Sequence, residues 1–274
     1  MRGDHLLYDV LLGGLLEWNI PFLAGFTCTA VLYVYLIKRF ENIKIYHKQP
    51  LLFFLSLGLL YFIIGSPLST ITHLSFSLHM MQMSILYFMI PPLLLLGMPY
   101  RLYQQAWKIP ILKRFSKFIL PPKISLFIFS LLFLLYHSPV ILNNVVQNTF
   151  FHNGYLLLLF ILAFSMWWPI TSPDPKQRFG RRRMKRYAFL SGVVLMPACL
   201  LFIVNAFIGG MNNPFASQFT AQLCAPSQAS SVNLLLPAPF NTTYDQVAAG
   251  TLMLGVHKFG IMLSFRLGNK VKER

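Results

Sequence analysis

The stretch SLHMMQMSILYFMIPPLLLLG, residues 77–97, decides the fold class of this chain because it contains no Asp, Glu, Lys or Arg. A helix of about 20 apolar residues is long enough to cross the roughly 30 Å hydrocarbon core of a bilayer. Across the whole sequence 56% of residues are hydrophobic and only 11% are charged, whereas soluble domains carry about 25% charged residues. We therefore predict an all-α integral membrane protein, with residues 1–274 forming a single polytopic membrane domain.

Apolar runs of this kind recur along the chain and predict seven transmembrane helices. They lie near residues 19–37, 51–67, 77–97, 124–142, 150–171, 188–209 and 245–265. The second run is short, and the seventh contains His257 and Lys258. A lysine at the centre of a span costs about 2.5–3.5 kcal/mol on insertion scales. We therefore expect Lys258 to be paired, deprotonated or extended towards the inner surface.

The basic residues predict the orientation of these helices. Of the 23 Lys and Arg, 21 lie in alternate connections, within 38–48, 101–123, 176–186 and 266–274. Cytoplasmic connections are enriched in Lys and Arg. The N-terminus is thus expected outside the cell and the C-terminus in the cytoplasm of a bacterium, with the chain in its plasma membrane.

The net charge of +16 has the same explanation, because basic residues beside spans contact anionic lipid headgroups. Membrane lipids are therefore expected partners and nucleic acid is not. The inner segment 101–122 mixes aromatic, aliphatic and basic residues, which is typical of an amphipathic segment on the membrane surface. Residues 172–187 read as a basic turn, and the outer loop 210–244 contains no charged residue.

Four histidines fall near one level, the predicted outer boundary of the bilayer: His73, His79, His137 and His152. Met83 follows His79 by four residues and shares its face of a helix. Imidazole and thioether groups together suit copper, Cu(I) in particular, better than Mg²⁺ or Ca²⁺. These five residues are the candidate copper ligands. The alternative is that the histidines are interfacial hydrogen-bonding groups and the methionines pack the core.

A second set of polar or soft residues is a candidate for a supporting or a deeper site: Gln82, Asp245, Met253 and His257. Met253 and His257 share a face of the seventh predicted helix. The double proline 91–92 predicts a kink in the third helix, since proline supplies no backbone N–H.

The sequence resembles the CtaG family of cytochrome c oxidase assembly factors, associated with caa3-type oxidases. The resemblance is carried by LHMMQMSILYFMIPPLLLLGMP (78–99), YHSPV (136–140), FHNGYLLLLFILAFSMWWPI (151–170) and DQVAAGTLM (245–253). The family's third-helix motif, His-x-x-Gln-His, corresponds to His79, Gln82 and Met83, so a thioether replaces the second imidazole. The family's fourth-helix His-x-Pro corresponds to His137 and Pro139, and its fifth-helix histidine to His152.

The resemblance implies a non-enzymatic protein that helps to build the oxidase, with oxidase subunits as partners and with copper delivered to the catalytic subunit. Two alternatives remain open: a metal-ion transporter that uses the same His and Met ligands, and a scaffolding protein without metal. A retinal-type photoreceptor is disfavoured, because no Asp or Glu lies within the second to sixth predicted spans to balance a Schiff base at Lys258.

Overall fold

Every regular element among the described residues is a helix. The structure, a computed structural model, describes residues 18–41, 43–72, 75–110, 120–138, 148–208, 240 and 242–272. The helices are α1 (Ile20–Phe40), α2 (Lys48–Ile64), α3 (Leu68–Ile71), α4 (Phe76–Ser84), α5 (Ile90–Gly97), α6 (Tyr100–Ala106), α7 (Pro122–Tyr136), α8 (Thr149–Thr171), α9 (Arg181–Ile208) and α10 (Thr243–Lys272). A π-helical turn, Ile85–Met89, joins α4 to α5, and a 3₁₀ turn, Pro175–Gln177, precedes α9.

Five stretches of helix are long and apolar enough to cross a membrane: Ile20–Phe40, Phe76–Gly97, Phe150–Thr171, Arg181–Ile208 and Thr243–Gly268. The helices at the second and fourth predicted spans, α2 and α7, are apolar but shorter, with 17 and 15 residues. The prediction of an all-helical membrane protein is confirmed. The count of seven spans and the orientation of the termini stay predictions.

Two predicted boundaries differ from the structure. The basic turn predicted at 172–187 is shorter in the structure. α9 begins at Arg181, so the basic residues from 181 to 186 belong to the first turns of that helix. In the fourth apolar run, predicted to span 124–142, the helix begins at Pro122 and ends at Tyr136, and residues 139–142 lie outside the described residues. His137 ends it, and the chain then reads Ser138-Pro139; a residue before proline is biased away from the α-helical region.

The third predicted span is one helix with an internal π-turn, and the double proline explains that turn. Pro91 and Pro92 have no N–H, so the carbonyls of Tyr87 and Phe88 lose their normal α-helical partners. The N–H of Ile90 bonds instead to the carbonyl of Ile85, five residues earlier. The carbonyl of Tyr87 accepts a hydrogen bond from the indole Nε1 of Trp167 at 3.0 Å. The predicted kink stays a prediction; the structure has a π-turn here, and a neighbouring helix satisfies the Tyr87 carbonyl.

Gly260 of α10 allows that helix to approach the π-turn. A Cβ atom at this position would lie 2.5 Å from the carbonyl oxygen of Phe88. Only glycine permits such a close approach of two backbones. The three helices α5, α8 and α10 therefore meet at the middle of the bundle, around a core that contains Phe88, Trp167 and Met253.

The helices bring distant segments together at two opposite ends of the third span. The histidine end contains residues 75–79, 136–137, 152 and 245, and the basic end contains residues 41, 101–103, 172–186 and 264–268. At the basic end, Glu41 accepts hydrogen bonds from the backbone N–H groups of Arg101 and Leu102 at 2.8 and 3.2 Å. This carboxylate therefore caps the N-terminus of α6 and joins it to the end of α1.

Candidate functional site

The histidine end brings two imidazoles together. His79 lies on α4 with 4% of its surface exposed, and His137 ends α7 with 2% exposed. The centroids of the two rings are 6.1 Å apart, with 57° between the ring planes. Two imidazoles that bind one ion through nitrogens about 2.0 Å from it have ring centroids roughly 5–6.5 Å apart. The separation of the His79 and His137 rings lies within this range.

The last turn of α7 decides which nitrogen of His137 carries hydrogen. The backbone N–H of His137 bonds to the carbonyl of Leu134, in the tighter pattern common at helix ends. The carbonyl of Phe133 is left for the side chain of His137, whose Nδ1 lies 2.7 Å from it. A carbonyl can only accept a hydrogen bond, so Nδ1 is the protonated nitrogen.

In the neutral ring this arrangement leaves the lone pair on Nε2 of His137 available as a ligand. Nε2 is buried and has no hydrogen-bond partner among the described residues. A ligating histidine almost always donates its other N–H to a carbonyl or carboxylate, which fixes the ring and the tautomer. The bond from Nδ1 of His137 to the carbonyl of Phe133 has this form.

Thioether groups lie in the apolar core on the helix that carries His79. Met83, one turn after His79 on α4, and Met80 are almost completely buried. Both belong to the same core as Phe133 and Tyr136. Among the described residues no three His, Cys, Asp or Glu side chains converge as a metal site would require. Zn²⁺ sites are almost always four-coordinate, whereas two imidazoles and a thioether suit Cu(I).

A carboxylate from the far end of the chain holds α4 in place. Both oxygens of Asp245, in the first turn of α10, accept hydrogen bonds from the hydroxyl of Ser75, at 2.9 and 3.0 Å. They also accept the backbone N–H groups of Phe76 at 2.9 Å and Ser77 at 3.3 Å, and the hydroxyl of Ser77. An anion at a helix N-terminus is favourable because the first N–H groups have no partner within the helix. We call this set, Ser75, Phe76, Ser77 and Asp245, the Asp245 clamp.

Gln82 fixes the other side of α4. Its amide nitrogen donates to the carbonyl of Ile63 at 3.0 Å, and its amide oxygen accepts from the hydroxyl of Thr72 at 2.8 Å. Gln82 therefore ties α4 to the end of α2 and to the residue after α3. Together with the Asp245 clamp, it fixes the position of the helix that carries His79.

Residues 6–265 match the family model described as cytochrome c oxidase caa3 assembly factor (Caa3_CtaG). The chain belongs to this family. The match covers nearly the whole sequence, so the predicted resemblance to CtaG proteins is confirmed. No curated protein and no solved structure matches the chain.

The Caa3_CtaG family is a group of cytochrome c oxidase assembly factors. The long apolar helices of the chain are typical of a membrane protein. The description of the family names assembly and no reaction. The family model itself does not assign a metal or name its ligands.

The third candidate histidine, His152, is joined to the pair through Tyr136 in the part of the chain that the structure describes. Its Nε2 lies 2.9 Å from the hydroxyl of Tyr136, and the two rings stack with centroids 6.0 Å apart. The ring of Tyr136 also contacts that of His79, with centroids 6.3 Å apart. His152 is therefore engaged with a phenol in this structure. His73, the fourth candidate histidine, lies outside the described residues, as does almost all of the 210–244 loop.

The deeper candidates lie near the π-turn. The ring of His257 on α10 packs against Phe88 and Trp167, with centroids 5.0 and 6.3 Å away. Its Nδ1 is buried without a hydrogen-bond partner among the described residues. Met253, one turn earlier, is completely buried. Lys258, the next residue after His257, is exposed.

Sequence reasoning missed the Asp245 clamp, the Tyr136–His152 contact and the bond from Trp167 to Tyr87. Ser75 before an apolar run is a signal for a helix N-cap. The partner of that cap is 170 residues away in sequence, and no local pattern identifies it. Trp167 reads as a membrane-interface anchor in the sequence, yet only 1% of it is exposed.

Proposed function

We propose that this Caa3_CtaG protein binds one Cu(I) ion between His79 and His137, with Met83 as the third ligand, and delivers it to the catalytic subunit of a caa3-type cytochrome c oxidase. The observation that carries the proposal is the buried Nε2 of His137 beside His79, oriented by the bond from Nδ1 to Phe133. The site lies at the outer face of the bacterial plasma membrane in the predicted orientation.

A thioether ligand favours Cu(I) over Zn²⁺ and Cu(II). It also binds more weakly than a thiolate, which suits a protein that has to release its metal to a partner. The Asp245 clamp and Gln82 support the site indirectly, because they position the helix that carries His79 and Met83.

The first test measures Cu(I) bound to the detergent-purified protein under anaerobic conditions, in competition with a chromophoric Cu(I) chelator. We expect about one Cu(I) per wild-type chain and none in the double variant His79→Ala/His137→Ala. His47→Ala is the matched control, since His47 lies at the opposite end, before α2. His152→Ala is expected to retain Cu(I), because its Nε2 is bonded to Tyr136.

The thioether is tested with a second matched pair. Met83→Leu should weaken Cu(I) binding about tenfold or more, whereas Met80→Leu, on the same helix and equally buried, should not. Wild-type affinity in the double histidine variant would exclude this site. Absence of Cu(I) from the wild type would leave scaffolding of the oxidase as the assembly role.

The delivery step is tested in cells. Deletion of the gene should leave the oxidase catalytic subunit present but deficient in copper, and His79→Ala/His137→Ala should not restore it. A fully metallated oxidase in the deletion strain would refute delivery even if the purified protein bound Cu(I). Transport of Cu(I) into proteoliposomes containing the protein would instead support the metal-ion transporter.

A further inference from the structure

A cavity at the basic end is not used by any part of the proposed copper function. It has a volume of about 530 Å³ and lies where α8 ends, α9 begins and α10 ends. Its cationic lining residues are Arg178, Arg181 and Lys185, and its apolar ones include Ile170, Phe179 and Phe265. No Asp or Glu is among the described residues that line it.

Arg178 is fixed within this cavity by neutral groups. Its Nε donates to the carbonyl of Ser172 at 2.6 Å, and its Nη1 donates to the carbonyl of Gly268 at 3.4 Å. Burial lowers the pKa of the guanidinium from its ordinary value, although arginine remains protonated at any physiological pH. The nearest acid along the chain, Asp174, accepts bonds from the N–H of Lys176 and the amide of Gln177. The charge of Arg178 therefore has no carboxylate to balance it among the described residues.

Arg181 and Lys185 add to this charge from one face of α9, since they are four residues apart. Arg181 is also the first residue of a 28-residue helix, whose N-terminal N–H groups favour a nearby anion. Three cations beside an apolar wall match a molecule that combines a phosphate with hydrocarbon. Inorganic phosphate satisfies only the charged part of that lining.

A second cavity of about 430 Å³ repeats the pattern next to the first. Its cations are Lys123, Arg183 and Arg186, and Phe179 is part of both linings. Arg181 and Lys185 line the first cavity, whereas Arg183 and Arg186 line the second, so the basic run at the start of α9 faces two separate cavities. Arg182 belongs to neither lining.

We propose that the cavity lined by Arg178, Arg181 and Lys185 is a specific binding site for the headgroup of an anionic phospholipid at the cytoplasmic face of the membrane. The phosphodiester contacts the three cations, and the glycerol and the first part of the acyl chains pack on Ile170, Phe179 and Phe265. The second cavity binds a further headgroup in the same manner.

The experiment titrates the delipidated full-length protein, in a neutral detergent, with dioctanoyl phosphatidylglycerol. Dioctanoyl phosphatidylcholine and inorganic phosphate are titrated in parallel, and native mass spectrometry reports the bound molecules. The test variant is Arg181→Gln/Lys185→Gln. The control, Arg182→Gln/Lys48→Gln, removes the same charge from exposed positions outside both cavities.

A cation in contact with the bound headgroup contributes about a fivefold change in affinity for an anionic lipid, whereas a cation outside the cavities contributes only through the net charge. We therefore expect the test variant to bind phosphatidylglycerol roughly 25-fold more weakly than wild type, and the control to change less than about threefold. Phosphatidylcholine and phosphate should bind far more weakly than phosphatidylglycerol. If the test variant does not fold, Arg181→Gln alone should show the fivefold loss.

Two results would overturn the proposal. Equal losses in the test and control variants would mean that only net charge matters, and binding of inorganic phosphate as tight as that of phosphatidylglycerol would mean a site for free anions. Neither result bears on Cu(I) binding at the histidine end, so this proposal and the copper function succeed or fail separately.

Discussion

The Asp245 clamp leads to a prediction with a magnitude that follows from its geometry. Asp245→Asn preserves the size of the side chain but replaces one carboxylate oxygen with an NH₂ group. The N–H of Phe76 bonds to Oδ2, and that of Ser77 bonds to Oδ1. One of these two N–H groups must then face a donor.

A buried N–H group without an acceptor costs about 1–3 kcal/mol. Loss of the negative charge at the N-terminus of α4 costs a further ~0.5–2 kcal/mol. The serine hydroxyls offset part of this by rotating to accept from the new NH₂ group. We therefore expect Asp245→Asn to lower the free energy of unfolding by about 2–4 kcal/mol, and to weaken Cu(I) binding because α4 carries His79.

The measurement is unfolding of the purified protein in mixed detergent micelles with increasing SDS. Asp174→Asn is the matched control, because Asp174 caps only the three-residue 3₁₀ turn and is partly exposed; its effect should stay below about 1 kcal/mol. A change below about 0.5 kcal/mol for Asp245→Asn, or equal changes in the two variants, would refute the reasoning.

Three further substitutions test the contacts described above. Trp167→Phe removes the donor that satisfies the Tyr87 carbonyl and should lower the free energy of unfolding by about 1–3 kcal/mol. The control is Trp168→Phe, which should cost less than about 1 kcal/mol because the indole of Trp168 bonds to the exposed side chain of Gln177. Equal effects of the two substitutions would contradict the role of the π-turn. Gly260→Ala places a Cβ against the backbone of Phe88 and should lower the free energy of unfolding by about 2 kcal/mol or more. Gly255→Ala on the same helix is the control, because its Cβ would meet nothing within 4 Å, and it should be neutral or stabilising. The same SDS unfolding measures both variants, and a neutral Gly260→Ala would show that α10 does not approach the π-turn so closely. Tyr136→Phe removes the hydroxyl that bonds to His152 and should leave Cu(I) affinity within about threefold of wild type, as measured by chelator competition; a large loss would place His152 or Tyr136 among the groups that hold the metal.

The sequence predicted the membrane location and the helices because both depend on local properties. Apolar runs specify helices in a bilayer whichever neighbours they have, and the double proline 91–92 predicts an irregular helix from its missing N–H groups alone. The sequence could not show that Trp167 bonds to the exposed carbonyl, because that depends on the rotation of α8 against the third span.

The same distinction holds at the candidate site. The common level of the histidines is a prediction from their positions within apolar runs. Two contacts depend on the rotation of α4, α7 and α8 about their own axes. They are the ring contact of His79 with His137 and the bond between His152 and Tyr136. The tautomer of His137 depends on a single carbonyl freed at the end of α7. Rotation about helix axes and the details of helix ends leave no periodic trace in the sequence.

The Asp245 clamp also has a consequence for the synthesis of the protein on the ribosome. Ser75 and Asp245 are 170 residues apart, so the helix that carries His79 enters the membrane long before its clamping carboxylate is synthesised. Until α10 inserts, the N-terminus of α4 lacks its anion and the two imidazoles lack a fixed spacing. The geometry of the proposed copper site is therefore complete only once the last helix is in place.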